Sequence, residues 1–182
     1  MIRKARLDDL PALAEIERDA DKLFLQTDMP EIGAAEPTKP DALALLIDGG
    51  AVWVADLDGA PVGFLAAGTR SGQYVILQIS VARSGQGRGI GARLMETAMA
   101  HGQATGAPDV ILTTFRDIPW NAPWYARFGF VEIPEAERTD VMRDMQAHEA
   151  AHGLDMSRRC VLRATLDPCR RLAARPSGPL QE

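Results

Sequence analysis

Val75-Ile76-Leu77-Gln78-Ile79-Ser80-Val81, followed after Ala82 by Arg83-Ser84-Gly85-Gln86-Gly87-Arg88-Gly89-Ile90-Gly91, decides the fold. The first segment is apolar and rich in β-branched residues, which predicts a strand. The second places glycine at alternate positions, so it reads as a loop. Ile90, Leu94 and Ala98 then recur at helical spacing, so the loop opens straight into a long helix that ends near Thr105. A loop without Cβ atoms can curl its N–H groups inward. The helix N-terminus adds unpaired N–H groups and roughly half a positive charge. Arg83 and Arg88 add full charge. The combination suits a phosphate or pyrophosphate. A tight strand-to-helix turn also needs glycine, but four glycines and two arginines are more than a turn requires. No Gly-Lys-Ser/Thr follows, so a Walker loop is excluded. A dinucleotide fingerprint can be forced onto Gly87 to Ala92. It would need a first βαβ unit and an acid closing the next strand, and that strand ends Thr113-Thr114-Phe115.

Working outward, Ile2 to Arg6 predicts a short strand. Asp8 or Asp9 then caps a helix with Pro11 in its first turn, and Leu10, Leu13, Ile16, Ala20 and Phe24 form its apolar stripe. Residues 26–40 look irregular, with three prolines, Gly33 and the acids Asp28, Glu31 and Glu36. A helix is expected over 41–47, stopping at Gly49-Gly50. A hairpin follows, 51–57 and 61–69, turning at Asp58-Gly59. Strands are expected over 74–81, 109–115, 130–133 and 159–166, with helices over 123–127 and 139–152. Consecutive strands followed by strand–loop–helix–strand–helix–strand imply an α/β fold with a mixed, mostly antiparallel sheet. Residues 1–166 read as one domain and 167–182 as a flexible tail.

The chain has 182 residues with 20 basic and 25 acidic side chains, a net charge of −5. That length buries a sizeable core. The acidic balance argues against a nucleic-acid partner. No run approaches the roughly 18 apolar residues of a membrane span, and Met1 to Arg6 lacks the apolar segment of a signal peptide. A cytoplasmic chain with free thiols, Cys160 and Cys169, is expected.

Gln86-x-x-Gly89-x-Gly91 after Ile79-Ser80-Val81 resembles the acetyl-CoA loop of the GNAT N-acetyltransferase superfamily. Asn121-Ala122-Pro123-Trp124-Tyr125-Ala126-Arg127-Phe128-Gly129-Phe130 is similar to that family's later motif, with a tyrosine four residues before a Gly-Phe pair. The resemblance covers about residues 2–166. It implies a sheet with a splayed parallel strand pair and transfer of the acetyl group of acetyl-CoA to an amine, borne by a small molecule or a peptide. It also implies that Gln86, Gly87, Arg88, Gly89, Ile90 and Gly91 hold the pyrophosphate and that main-chain groups of Ile79, Ser80 and Val81 pair with the pantetheine arm. By the same resemblance Tyr125 protonates the leaving sulfur. Tyr125 also has a plain reading as a core aromatic beside Phe128 and Phe130. Asn121 is placed to bond the cofactor arm or cap the short helix, although the commoner family pattern has its asparagine three residues earlier. Family members are often homodimers.

One position departs from the family. Relatives often carry a Glu or His general base two or four residues ahead of Ile79, where this chain has Leu77 and Val75. Replacement bases are Asp28, Glu31, Glu36 and Asp117, each of which also reads as a solvated surface acid. Without a base the chain reads alternatively as a CoA-binding regulatory or sensor module. His148-Glu149-Ala150-Ala151-His152 spells the H-E-x-x-H zinc-peptidase motif, but the metzincin extension wants Gly where Asp155 stands, and the other histidine, His101, follows the glycine loop. No metal is expected. Trp120, Trp124 and Tyr125 read either as core or as the floor of an acceptor pocket, and Cys160 as a packed thiol.

Overall fold

The computed structural model describes residues 1–167, so the expected tail, Cys169 included, lies outside the described residues apart from Asp167. Seven strands form one sheet in the order β1-β2-β3-β4-β5-β7-β6. They are β1 Ile2–Lys4, β2 Val52–Leu57, β3 Ala60–Arg70, β4 Gln73–Val81, β5 Asp109–Phe115, β6 Val131–Glu132 and β7 Arg159–Thr165. The helices are α1 Leu10–Asp21, α2 Pro30–Gly33, α3 Pro40–Asp48, α4 Ile90–Ala104, α5 Ala122–Tyr125 and α6 Asp140–Ala151. The β1–β2, β2–β3, β5–β7 and β6–β7 ladders are antiparallel and β4–β5 is parallel, the mixed α/β sheet that the order of elements implies. The parallel ladder joins Tyr74 to Val110 and Val75 to Ile111, while β4 itself runs on to Val81.

Contacts gather into two compact units: residues 1–68 with 76–100, and 69–75 with the chain from His101 onward. In the first, Asp58 and Gly59 take φ of 52° and 83°, the left-handed pair of a two-residue hairpin turn, so the β2–β3 turn falls where the Asp-Gly pair puts it. Leu13 and Ile16 of α1 meet Leu43 of α3 and Val52, Val54, Phe64 and Ala66 of the sheet in one buried cluster. Each such side chain contributes about 1.5–3 kcal/mol by leaving water. Arg3 reaches across from β1 to Asp9 and Asp56 at 2.7 Å each, and its guanidinium holds the Asp9 carboxyl below its usual range. Within the stretch expected to be irregular, α2 forms one helical turn. Pro30 sits in its first turn with Glu31 beside it, and Gly33 lets it approach α1 closely.

The second unit is built on the β5–β7 ladder, seven consecutive pairs from Asp109↔Thr165 to Phe115↔Arg159. Thr139 caps α6, its hydroxyl oxygen accepting the Met142 amide. Cys160 is fully buried, as a packed thiol, and burial pushes it up to about 11.

Candidate active site

The glycine loop lies wholly in the first unit. After β4 the chain makes a tight turn over Arg83–Gly85, in which the Gly85 and Gln86 amides donate to the Ala82 and Arg83 carbonyls at 2.8 and 3.3 Å. A Cβ on Gly85 would stand 3.1 Å from Val81 and 3.2 Å from Ile90, so this glycine is there for space. Gly87 and Gly89 serve a different purpose. Both have positive φ, 72° and 71°, and nothing lies within 4 Å of where a Cβ would stand. Their backbone turns through the left-handed region toward open space, and Arg93 is the residue whose amide bonds back to the Gly89 carbonyl. The amides of the first turn of α4 therefore face outward with no helical acceptor, beside an uncrowded backbone. That is the fit a pyrophosphate needs.

Two details revise the charge expected here. Arg83 does not offer a free charge to the loop: its amide and Nε both donate to Asp19 of α1, at 2.8 and 2.9 Å. Arg88 is the exposed arginine of the loop itself. The side chain of Gln86 folds back and donates to the Val81 carbonyl at 3.0 Å, tying the loop to the end of β4. Ser80 is buried and its hydroxyl accepts from the Gln78 amide group at 2.8 Å, while Ile79 and Val81 are half-buried. The two positions where relatives carry a base are apolar in space as well. Val75 is fully buried and Leu77 half-buried.

Tyr125 lies in the second unit, at the end of α5. It is 8% exposed, with Trp124 and Phe130 edge-on to its ring at centroid distances of 5.0 and 5.7 Å. Burial pushes its phenol well above the ordinary tyrosine range, and the Arg159 charge opposes this. The hydroxyl is thus held protonated across neutral pH, as a proton donor must be. Gly129 at φ 85° closes the turn and delivers Phe130 into the core. Asn121 does not cap α5 with its side chain. Its carbonyl accepts the Trp124 and Tyr125 amides at 2.8 and 3.0 Å instead. The expected aromatic cluster is divided. Trp124 packs between Tyr125 and Phe128, whereas Trp120 is 38% exposed.

Asp28, Glu31 and Glu36 are exposed. Asp117 is committed to Arg158 at 2.6 Å, which holds its carboxyl below the usual range. The H-E-x-x-H stretch is also spoken for: both Arg159 and the Thr113 hydroxyl donate to Glu149. Among the described residues no group of three His, Cys, Asp or Glu side chains could hold a metal ion, and no helix is long and apolar enough to cross a membrane.

Two acids that the sequence reading passed over stand out instead. Glu17, on α1, is buried at 6% exposure, and burial raises its carboxyl. Asp21, one turn on, is pushed up to about 7 by burial and by Glu17. A helical wheel carries the signal: Glu17 stands four residues after Leu13 and Asp21 three before Phe24, so both acids border the apolar stripe. A raised folded-state value means that the folded chain keeps protons, between the ordinary aspartate value of 3.8 and about 7, that the unfolded chain has lost. Stability therefore falls as pH rises through that window. Asp21→Asn is expected to raise Tm by a few degrees at pH 8, for about 1–2 kcal/mol after solvent screening, and by much less at pH 4. Melting curves at the two pH values check this, and an equal shift at both would refute it.

Residues 48–132 match the family model of an acetyltransferase (GNAT) domain. This stretch is a GNAT domain. Solved structures share its fold. A Mycobacterium tuberculosis protein in complex with CoA aligns at TM-score 0.65 and 21% identity, over 91% of this chain and 98% of that one. N-acetylglutamate synthase from Neisseria gonorrhoeae, complexed with coenzyme A and N-acetyl-glutamate, aligns at TM-score 0.70 and 19% identity, over 92% of this chain and 35% of the synthase. PaiA N-acetyltransferase from Thermoplasma acidophilum, in complex with coenzyme A, aligns at 0.68 and 17%, over 91% and 98%. At these identities the likeness is one of fold. The matched residues 48–132 include the glycine loop, the strand before it and Tyr125.

Proposed function

We propose that this GNAT domain transfers the acetyl group of acetyl-CoA to an amine acceptor, and that the loop from Gln86 to Gly91 holds the cofactor's pyrophosphate. The observation that carries this reading is the open backbone at Gly87 and Gly89, at the mouth of a 15-residue helix, inside the matched domain. Amides from Gly87 to Gly91 donate to the phosphates and Arg88 adds charge. Main-chain groups of Ile79, Ser80 and Val81 lie along the pantetheine arm, with the Val81 carbonyl shared with Gln86, and Asn121 bonds the same arm. The amine forms a C–N bond with the thioester carbonyl carbon, the C–S bond breaks, and Tyr125 gives its proton to the departing sulfur. The amine's own proton passes to solvent, from which Tyr125 is reprotonated. A cytoplasmic location, where acetyl-CoA is available, belongs to the same reading. A homodimer is tested by the mass in solution.

The test is cofactor binding. CoA is expected to raise Tm through mass action on the folded state. Gly89→Ala isolates the strain of a side chain at φ 71°, and Gly89→Glu adds an anion to the cradle. Calorimetric titration should show Gly89→Glu binding CoA at least tenfold more weakly than Gly89→Ala. Equal affinities for the two variants and the parent would overturn the loop assignment.

A further inference from the structure

Among the described residues one buried side-chain atom has no hydrogen-bond partner, Glu17 Oε2. The other oxygen of that carboxyl accepts the Thr38 hydroxyl at 2.9 Å. Asp21 stands one turn further along α1, so the two carboxyls share a helix face. The chain from Lys22 to Thr38 closes over them. Its seat on α1 is tight at Gly33, where a Cβ would lie 2.8 Å from the Asp21 carbonyl oxygen and 2.9 Å from Leu25 Cγ. Phe24 and Met29 of this segment are buried.

The surrounding charges answer this pair only weakly: Arg18 favours ionised Glu17, and burial outweighs it. Arg18 pairs with Glu15 at 2.5 Å, and Lys22 is nearest Asp19 at 3.7 Å. Asp28, Glu31, Glu36 and Lys39 of the covering segment are exposed, as are Asp41 and Asp48 of α3. Two desolvated carboxyls with an unmet acceptor atom require either a retained proton or an incoming cation. An ammonium group supplies one positive charge and three N–H donors, enough to meet Oε2 and let both acids ionise.

We infer that Glu17 and Asp21 form an ammonium-binding subsite that selects acceptors carrying a second amino group besides the one acetylated. The nitrogen held there is not the nucleophile, because a carboxylate pair stabilises the protonated amine and so opposes its attack on a thioester. The acceptor class is therefore an alkyl diamine or a longer chain of the same kind. This rests on the acetyltransferase reading for the word acceptor, and on α1 alone for the subsite.

The experiment titrates the full chain, without CoA, with 1,4-diaminobutane and with 1-butanol, so that it stands or fails apart from the cofactor loop. The diamine should bind and the alcohol should not. Glu17→Gln and Asp21→Asn keep shape and remove charge, and each should weaken diamine binding tenfold or more while the chain stays folded by circular dichroism and binds CoA as the parent does. In turnover, the same variants should raise KM for the diamine by a like factor and leave kcat within about threefold. No diamine binding by the parent, equal binding of alcohol and diamine, or unchanged diamine affinity in both variants would each overturn the subsite.

Discussion

Tyr125→Phe should lower kcat about 10²-fold and leave CoA binding nearly unchanged. The variant removes one hydroxyl and keeps the ring, so the edge-on contacts with Trp124 and Phe130 persist. The expected loss comes from the proton. A thiol of the cysteine kind has a pKa near 8.5, so a thiolate leaving without a proton is a tolerable but not a good leaving group next to an attacking amine. A phenol held protonated by burial can share its proton with the sulfur as the C–S bond lengthens. Its pKa cannot rise without limit, because proton transfer to sulfur would then become steeply uphill. The nearby Arg159 charge works against that rise. Arg159 is itself fixed by Glu149 and lies over the Phe115 ring at 4.5 Å. The measurement is steady-state kinetics with one amine at saturating acetyl-CoA, paired with a CoA titration of the same preparation. Unchanged kcat would leave Tyr125 as a packing residue and remove it from the mechanism.

The fold was legible because its decisive elements are local. Apolar alternation, an Asp-Gly turn and a glycine run before a helical stripe each specify their structure within a dozen residues, and β5 falls on Asp109–Phe115 as the pattern predicts. The glycine loop's turn into α4 was legible for the same reason. What escaped the sequence depends on contacts between distant residues. Arg83 reads as a phosphate ligand until Asp19, 64 positions earlier, is seen to occupy it. Glu149 reads as a peptidase base until Arg159 from β7 occupies it. Beyond their place beside the apolar stripe, Glu17 and Asp21 carried no mark in the sequence, because what packs on them, Thr38 bonded to Glu17 and Gly33 of α2 against the Asp21 carbonyl, comes from a stretch with little periodic signal. Asn121 was legible as a motif position but not in its role at the turn, since its carbonyl and not its side chain starts α5.

With an alkyl diamine as acceptor, the rate below saturation should climb about tenfold per pH unit between pH 7.5 and 9.5, a rise of about 10²-fold. The reason is the apolar strand. Val75 and Leu77 supply no base, Asp28, Glu31 and Glu36 are exposed, and Asp117 is tied to Arg158. An alkylamine with a pKa near 10 is neutral in only about one molecule in a thousand at pH 7, and each pH unit multiplies that fraction by ten. The lower limit of pH 7.5 keeps Asp21, pushed up to about 7, mostly ionised, so that its own titration does not add to the slope. An aromatic amine, already neutral at pH 7, should show no such climb. Leu77→Glu gives an independent handle, since it places a carboxylate where relatives often carry one, and it should flatten the alkylamine profile if that carboxylate accepts the proton. A parent profile that is flat from pH 7.5 to 9.5 would mean that a protein group takes the proton, and the no-base mechanism would be wrong. Replacing Asp28, Glu31, Glu36 and Asp117 singly by the amide would then identify the group, because the slope would return only in the variant that had lost the base.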